Sequence, residues 1–172
     1  MFGGLPATID PIQLAGKGAR LRGKLPVKAM RRLVELCRDD SGEAVVDLMF
    51  ERGDADGMYL MHGTMAATVR VTCQRCLEGM DLELVAEPRL NLTRPGEHED
   101  IQAQEAGILV ADKPISLSEL VEDEFMLVMP MIPIHDEKVC PVSVYKTAAN
   151  GVGAGDKINR PFSILNGLKR KK

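Results

Sequence analysis

Apolar and polar residues alternate with a period of two through much of residues 43–92, and short turns interrupt the alternation. On a first strand, one face would carry Val46, Leu48 and Phe50. On a second, it would carry Tyr59, Met61, Met65, Ala67, Val69, Val71 and Cys73. A third strand is predicted over residues 81–92, where Pro88 favours a sheet edge. Three consecutive strands with short turns predict an antiparallel β-meander.

Two helices are predicted outside the meander. The first begins at Pro26 and ends near residues 39–42, with helical spacing of Met30, Leu33, Val34 and Cys37. The second begins with a capping box, Ser116-x-x-Glu119, and is stopped by Pro130. Its predicted solvent face carries Glu122, Asp123 and Glu124. The fold class is therefore α+β, an antiparallel β-meander with two packed helices.

The remaining segments lack a clear period. Residues 5–24 contain two prolines and a basic, glycine-punctuated run, which predicts an extended arm or edge strand outside the core. Residues 94–113 are acidic and predict a loop. We expect one α+β domain over residues 1–140, followed by a flexible linker and basic tail over residues 141–172. Both termini would then be basic and flexible.

Composition narrows the class of protein. The chain has 172 residues, of which 45% are apolar and only 3% aromatic, with no Trp and ten Met. These values fit one globular domain with an aliphatic, Met-rich core. No apolar stretch approaches the roughly 18–20 residues of a membrane span, and no signal sequence is evident. We therefore expect a cytoplasmic protein without a membrane partner.

Charge is divided unevenly along the chain, although the net charge is only −3. Residues 1–38 sum to +6, residues 39–140 to −15 and residues 141–172 to +6. Basic ends around an acidic middle are typical of contact with a polyanion, of contact with the acidic body itself, or of a solvated surface. The candidates for RNA contact are Lys17, Arg20, Arg22, Lys24, Lys28, Arg31, Arg32, Lys169, Arg170, Lys171 and Lys172.

Two cysteines, Cys73 and Cys76, stand at the end of a predicted strand, with the spacing of one zinc knuckle. A structural zinc site needs four ligands. Cys140 is the clearest third ligand, and His135 or Cys37 could supply the fourth. The other interpretation is a pair of thiols that shape a turn. Redox catalysis is disfavoured, because a reactive pair requires a helix N-terminus beside a βαβ unit.

Other catalytic signatures are weak. Residues 18–24 resemble a phosphate-binding P-loop, but Leu25 replaces the Ser or Thr that would hold magnesium. The three histidines, His62, His98 and His135, are scattered, and no local motif indicates nucleophilic or acid–base catalysis. The sequence therefore favours a binding or assembly protein without a small-molecule substrate over an enzyme.

Three stretches of the chain carry recognisable motifs: residues 71–76, residues 120–125 running into 129–136 with Cys140, and residues 160–165 with 168–169. Together they resemble the YceD family, the large ribosomal RNA subunit accumulation proteins of bacteria, which have relatives in plastids. The positions that match the motifs are Cys73, Arg75, Cys76, Glu122, Asp123, Glu124, Pro130, Pro133, His135, Cys140, Pro161 and Phe162. Family members are often encoded beside a large-subunit ribosomal protein.

The resemblance implies a non-enzymatic role in the synthesis, processing or stability of large-subunit (23S) ribosomal RNA, and it supplies no catalytic residues. Its partner would be ribosomal RNA or a ribosome-assembly protein. A second hypothesis is a zinc-stabilised adaptor that binds proteins without touching RNA. A nuclease or hydrolase is a third, which lacks an acidic metal-binding constellation.

Overall fold

The computed structural model describes residues 4–53, 58–96 and 107–141 and confirms an α+β fold. The strands are β1 (Thr8–Ile9), β2 (Arg20–Pro26), β3 (Glu43–Arg52), β4 (Tyr59–Thr72), β5 (Gly79–Ala86), β6 (Arg89–Thr93), β7 (Gly107–Val110) and β8 (Ile115–Ser116). The helices are α1 (Pro11–Gly16), α2 (Arg31–Leu36) and α3 (Leu117–Val128). Strands β1 and β8 form a separate two-stranded sheet, and the other six form the main sheet.

Strand β4 organises the main sheet. One side pairs antiparallel with β3, which continues to β2. The other side pairs with β6 near its beginning and with β5 near its end. Gly63 lies opposite Leu48 with φ +155°, and a Cβ there would approach the carbonyl oxygen of Asp47 to 2.1 Å. Only glycine allows β3 and β4 to pair this closely.

The predicted alternation on β3 and β4 is confirmed. The inner faces bury Val46, Leu48, Phe50, Met61, Met65, Ala67, Val69 and Val71. Helix α3 adds Phe125, and the segment around α2 adds Met30 and Leu33, which are all fully buried. The core is therefore aliphatic and Met-containing, as the composition predicts.

Two predictions about the sheet are wrong. The single strand expected over residues 81–92 is divided into β5 and β6 around Glu87 and Pro88, because proline has no N–H to continue the ladder. The loop expected over residues 94–113 includes β7, which pairs parallel with β6. The sheet is thus mixed rather than a pure antiparallel meander.

The N-terminal region differs in part from the prediction. The basic run forms β2, an edge strand as expected. Residues 5–15, expected outside the core, instead contribute Ile9, Ile12 and Ala15 to it. Helix α1 begins at Pro11, and the Asp10 carboxylate accepts the Gln13 N–H at 2.9 Å. This local cap places the apolar side of a short helix against β3 and β4.

The two predicted helices also differ in detail. The first is interrupted at Met30 (φ −105°, ψ 83°), which separates a 3₁₀ turn over Val27–Ala29 from α2. The second is capped by the Ser116 hydroxyl, which accepts the Glu119 N–H at 3.3 Å. Glu122, predicted to face solvent, is only 4% exposed. It is buried because its carboxylate binds the start of α2.

By internal contacts the chain divides into residues 1–135 and residues 136–172. In the second unit, the described residues begin with a turn in which the Val139 and Cys140 N–H groups donate to the Asp136 carbonyl. The predicted division at residues 140 and 141 stays a prediction. Within the described part of the chain, no helix has the length and apolar character needed to cross a membrane.

Candidate metal centre

The Cys73-x-x-Cys76 segment forms a tight knuckle between β4 and β5. The Cys73 N–H donates to the Glu78 carbonyl, and the Leu77 N–H donates to the Cys73 carbonyl, each at 2.9 Å. Leu77 takes a left-handed backbone conformation with φ 65° and is 69% exposed. These two bonds reverse the chain within six residues, so both thiols stay on the turn as the spacing predicts.

A second segment, residues 130–135, lies against this knuckle and is called the strap below. It begins where α3 ends, because Pro130 has no N–H to continue the helix. The Gln74 N–H donates to the Pro133 carbonyl at 2.8 Å. The His135 N–H approaches the Cys73 Sγ to 3.4 Å, and the Arg75 guanidinium donates to the His135 carbonyl at 2.9 Å. The strap thereby brings an imidazole to the two thiols.

Three of the predicted ligands come together within residues 1–135. His135 Nδ1 lies 3.3 Å from the Cys76 Sγ. The ligand atoms of Cys73, Cys76 and His135 all lie within 4.8 Å of one another. Tetrahedral zinc with Zn–S bonds of about 2.3 Å needs sulfur atoms about 3.8 Å apart, so modest adjustment would suffice. These three residues form a Cys₂His group that could bind a metal, and Cys140, five positions after His135, stays the predicted further ligand.

The fourth cysteine is placed elsewhere. Cys37, which the sequence left open as a ligand, donates from its thiol to the Leu33 carbonyl at 3.1 Å and is not part of the group. Burial, followed by the nearby Asp39 carboxylate, raises the pKa of the Cys37 thiol. The structure therefore supports His135 over Cys37 as the candidate fourth ligand.

Hydrogen-bond donors favour the thiolate form of Cys73. Burial by itself would raise the pKa of this thiol, but the N–H groups of Cys76, His135 and Arg75, together with the Cys76 thiol, lower it to about 5. A thiolate is the form that binds metal. Sulfur and imidazole ligands suit zinc, whereas magnesium and calcium prefer oxygen ligands.

The knuckle does not resemble a thioredoxin-type redox site. Cys73 follows a strand of an antiparallel pair rather than preceding a helix, and all four cysteines are free thiols. Here the thiol pKa is lowered by local N–H groups and not by a helix dipole. The arrangement is suited to holding a metal that links the knuckle to the strap.

Most described candidates for RNA contact are already engaged. Arg20 and Arg22 both approach the Asp47 carboxylate, at 2.7 and 3.5 Å, and the Arg20 hydrogen bond lowers the pKa of Asp47. Lys24 pairs with Glu43 at 2.7 Å. The other engaged cations are Lys17, which bonds Gln13, and Arg32, which bonds Glu122 and Asp123.

Two candidates, Lys28 and Arg31, are exposed and form no ion pair with any described residue. Lys28 lies in the 3₁₀ turn before α2, and Arg31 is the first residue of α2. Lys169, Arg170, Lys171 and Lys172 lie outside the described residues, as does His98. His62, predicted as an exposed strand residue, lies 3.1 Å from the Glu51 carboxylate.

Sequence reasoning missed an apolar cleft of about 380 Å³ beside the knuckle. It is lined by Leu36, Val71, Gln74, Met126, Met129, Pro130, Met131 and Pro133. Nearby on the strap, Met131 is 99% exposed and Ile132 67% exposed. The sequence does indicate this apolar surface. The run from Met129 to Ile134 is largely apolar, follows the end of a predicted helix and lacks the periodicity of a core element.

The fold and this site define a small α+β protein whose Cys/His group lies between a hairpin knuckle and the segment after α3. A family described as "Large ribosomal RNA subunit accumulation protein YceD" matches residues 61–169. A relative from Haemophilus influenzae with the same description is 30% identical over 177 residues, covering 97% of each chain. The chain belongs to the YceD family. No solved structure matches it.

Proposed function

We propose that this protein is a non-enzymatic accessory factor of ribosome biogenesis that supports the synthesis, processing or stability of 23S ribosomal RNA. The observation that carries the proposal is the relative named for large ribosomal RNA subunit accumulation, which aligns over 97% of this chain. The proposal places the protein in the cytoplasm, where bacterial ribosomes are assembled. It requires no active site, since its effect would come from binding.

The proposed RNA contact uses two cations that form no ion pair with any described residue. Lys28 and Arg31 are exposed without an ion pair among the described residues. Each cation that neutralises an RNA phosphate releases counterions, so the affinity should fall steeply with salt. Aromatic residues are only 3% of the chain, which favours backbone contact over base stacking.

Crosslinking in cells tests the function directly. We expect precursor or mature 23S ribosomal RNA to be recovered with the protein, and depletion of the protein to lower large-subunit RNA relative to small-subunit RNA. Recovery of no ribosomal component, together with an unchanged RNA ratio, would remove the proposal.

Salt titration with matched variants tests the contact. Changing Lys28 and Arg31 to Gln together should reduce the slope of log affinity against log salt by about 1.5 for a 23S fragment. The control changes Arg52 and Arg89 to Gln, which removes the same charge from exposed positions outside the candidate set. Equal slopes for both double variants would exclude Lys28 and Arg31 as contacts.

We propose that Cys73, Cys76 and His135 hold one structural zinc ion and that Cys140 supplies the fourth ligand. Bound zinc would fix the knuckle and the strap as one unit, because its bonds replace contacts that otherwise depend on hydrogen bonds. Metal analysis of protein purified without added zinc should find about one zinc per chain. A chain that contains no metal, and whose unfolding midpoint is insensitive to chelators, would contradict this part of the proposal.

A second candidate function is a protein-binding adaptor without RNA contact, and the apolar cleft favours it. Its occupant would be an apolar segment of a ribosome-assembly protein. Met131→Asp places a charge at the most exposed large apolar side chain of the described residues and should abolish such binding, whereas the double change of Lys28 and Arg31 to Gln should leave it intact. If the Met131 variant kept its protein partners, or the wild-type chain bound 23S RNA directly, the adaptor would be excluded.

A further inference from the structure

The knuckle contacts His135 of the strap at three different atoms. Its N–H approaches the Cys73 Sγ to 3.4 Å, its carbonyl accepts the Arg75 guanidinium at 2.9 Å, and its Nδ1 lies 3.3 Å from the Cys76 Sγ. One contact fixes the backbone to the first cysteine of the knuckle. Another fixes the backbone to Arg75, one of the two residues between the cysteines, and the third sets the direction of the ring.

An imidazole can bind a metal through either ring nitrogen, and the hydrogen bonds that hold the histidine decide which nitrogen binds. Here Nδ1 faces the Cys76 thiol, so it is the nitrogen turned toward the sulfur ligands. Ligation through Nε2 would require the ring to turn over, or the backbone of His135 to move away from Cys73 and Arg75. The geometry therefore distinguishes the two nitrogens before any metal is bound.

The Arg75 guanidinium donates to the His135 backbone carbonyl at 2.9 Å. It lies between the two knuckle cysteines in sequence, so its bond to the carbonyl ties the histidine to the same turn that presents the thiols. The strap also forms hydrogen bonds with the Cys73 Sγ and with the Gln74 N–H. Of these groups, only Arg75 acts through a charged side chain, which can be changed without altering a ligand or the backbone.

We infer that the centre binds its metal with His135 coordinating through Nδ1, and that Arg75 is a positioning residue which fixes this mode by holding the His135 carbonyl. This inference rests on the proposed metal centre and goes beyond it by assigning the ligand atom of His135 and the residue that positions it. Outer-shell partners of metal ligands typically contribute 10–100-fold to affinity.

Zinc affinity of the full chain, measured by competition with a chromophoric chelator, tests Arg75. Arg75→Gln should lose about 10–100-fold in affinity. Arg75→Lys should recover much of the loss, since an ammonium can also donate to the carbonyl. Arg70→Gln is the matched control: Arg70 is exposed on β4, and its guanidinium lies against Gly79 rather than against a ligand.

The visible spectrum of the cobalt-substituted chain and the NMR shifts of the His135 ring give readouts that a general loss of stability would not mimic. We expect thiolate-to-cobalt bands in wild type and in Arg75→Gln at saturating cobalt, so that the variant changes affinity and not ligand identity. In the zinc form, the ring shifts should show metal on Nδ1 and a proton on Nε2.

The outcomes separate the two levels of the proposal. Zinc on Nε2, or an Arg75→Gln affinity within twofold of wild type, overturns the inference and leaves the centre in place. A wild-type chain that takes up neither zinc nor cobalt overturns the centre and the inference together. Loss of affinity in Arg75→Gln and Arg70→Gln alike would show a non-specific charge effect and would also reject Arg75 as a positioning residue.

Discussion

At the scale of single residues, the properties of the knuckle are set by backbone groups. The Cys73 thiol is fully buried, a position that normally disfavours a thiolate, yet surrounding N–H donors reverse the balance and lower its pKa to about 5. Leu77 accepts an uncommon backbone conformation so that its N–H can close the turn. Both features prepare the knuckle for a positively charged ligand.

The Cys73 pKa predicts how metal-free protein responds to pH. Because the folded value of about 5 lies below the ordinary thiol value, the stabilising effect grows from about pH 5 up to the unfolded thiol pKa of about 8.5. It is lost as the pH falls through 5. An ultraviolet titration of thiolate absorbance in metal-free protein should show one acidic step. Cys73→Ser should remove this step, whereas Cys37→Ser should retain it.

The backbone conformation of Leu77 predicts that a glycine at this position would raise the free energy of unfolding. A left-handed conformation costs a leucine about 1–2 kcal/mol, and glycine recovers most of this despite its own entropy loss, so Leu77→Gly should stabilise the protein by about 0.5–1 kcal/mol in urea unfolding. Leu77→Val should destabilise it, since a branched Cβ fits φ 65° worse.

A leucine-to-glycine change inside a helix should lower stability instead of raising it, and it serves as the control. Leu127 is 78% exposed within α3, where glycine weakens a helix, so Leu127→Gly should destabilise by about 1 kcal/mol. If both glycine variants lost stability equally, the backbone of Leu77 would not be strained as described.

At the scale of elements, α2 depends on α3. A six-residue helix is too short to be stable alone, and it starts at Met30 without a side-chain cap. The Glu122 carboxylate of α3 supplies the cap from outside: one oxygen accepts the N–H groups of Arg32 and Leu33, and the other accepts the Arg32 guanidinium. This contact positions the exposed cations of the proposed RNA contact.

Glu122 and Asp123, which are neighbours on α3, should therefore contribute differently to the free energy of unfolding. Glu122→Gln should lower the free energy of unfolding by about 2 kcal/mol, because it leaves buried donors facing an amide. Asp123→Asn should change it by less than about 0.5 kcal/mol, since this carboxylate meets the same arginine at the surface. Chemical denaturation of the two isosteric variants measures the difference. Similar losses would show that burial of Glu122 is not what stabilises α2.

At the scale of the whole molecule, the fold changes the meaning of the charge pattern. The sequence separates basic ends from an acidic middle, but pairing of β2 with β3 sets Arg20, Arg22 and Lys24 against Asp47 and Glu43. Many of the N-terminal cations are therefore balanced within the sheet. Among the described residues, the positive charge left for a polyanion is therefore smaller than the sequence indicates, and it includes Lys28 and Arg31 near the start of α2.

The proposed zinc predicts a regional response to chelation. Removing metal should free the strap from the knuckle, so the amides of Gln74 and His135 should exchange faster with solvent. The Phe50 amide bonds the Ala19 carbonyl inside the main sheet and should keep its protection. Hydrogen exchange read residue by residue measures both. Unchanged exchange at Gln74 and His135 after verified zinc removal would contradict a linking role.

The sequence by itself determined the features whose causes are local. Alternation placed Val46, Leu48 and Phe50 in the core, the Ser116 cap began α3, and Cys73-x-x-Cys76 formed a turn. These outcomes depend on side-chain periodicity and on bonds between residues a few positions apart. The family motifs could be recognised for the same reason, since each lies within a short stretch of chain.

Only the tertiary structure decided the features that join distant segments. It buried Glu122 against an N-terminus ninety positions away, paired β7 with β6, and chose His135 over Cys37 beside the knuckle. Such contacts require the intervening chain to be ordered, which costs conformational entropy. No local sequence pattern shows whether the contacts offset that cost. The ligand set of the candidate centre was therefore open in the sequence and became specific in the fold.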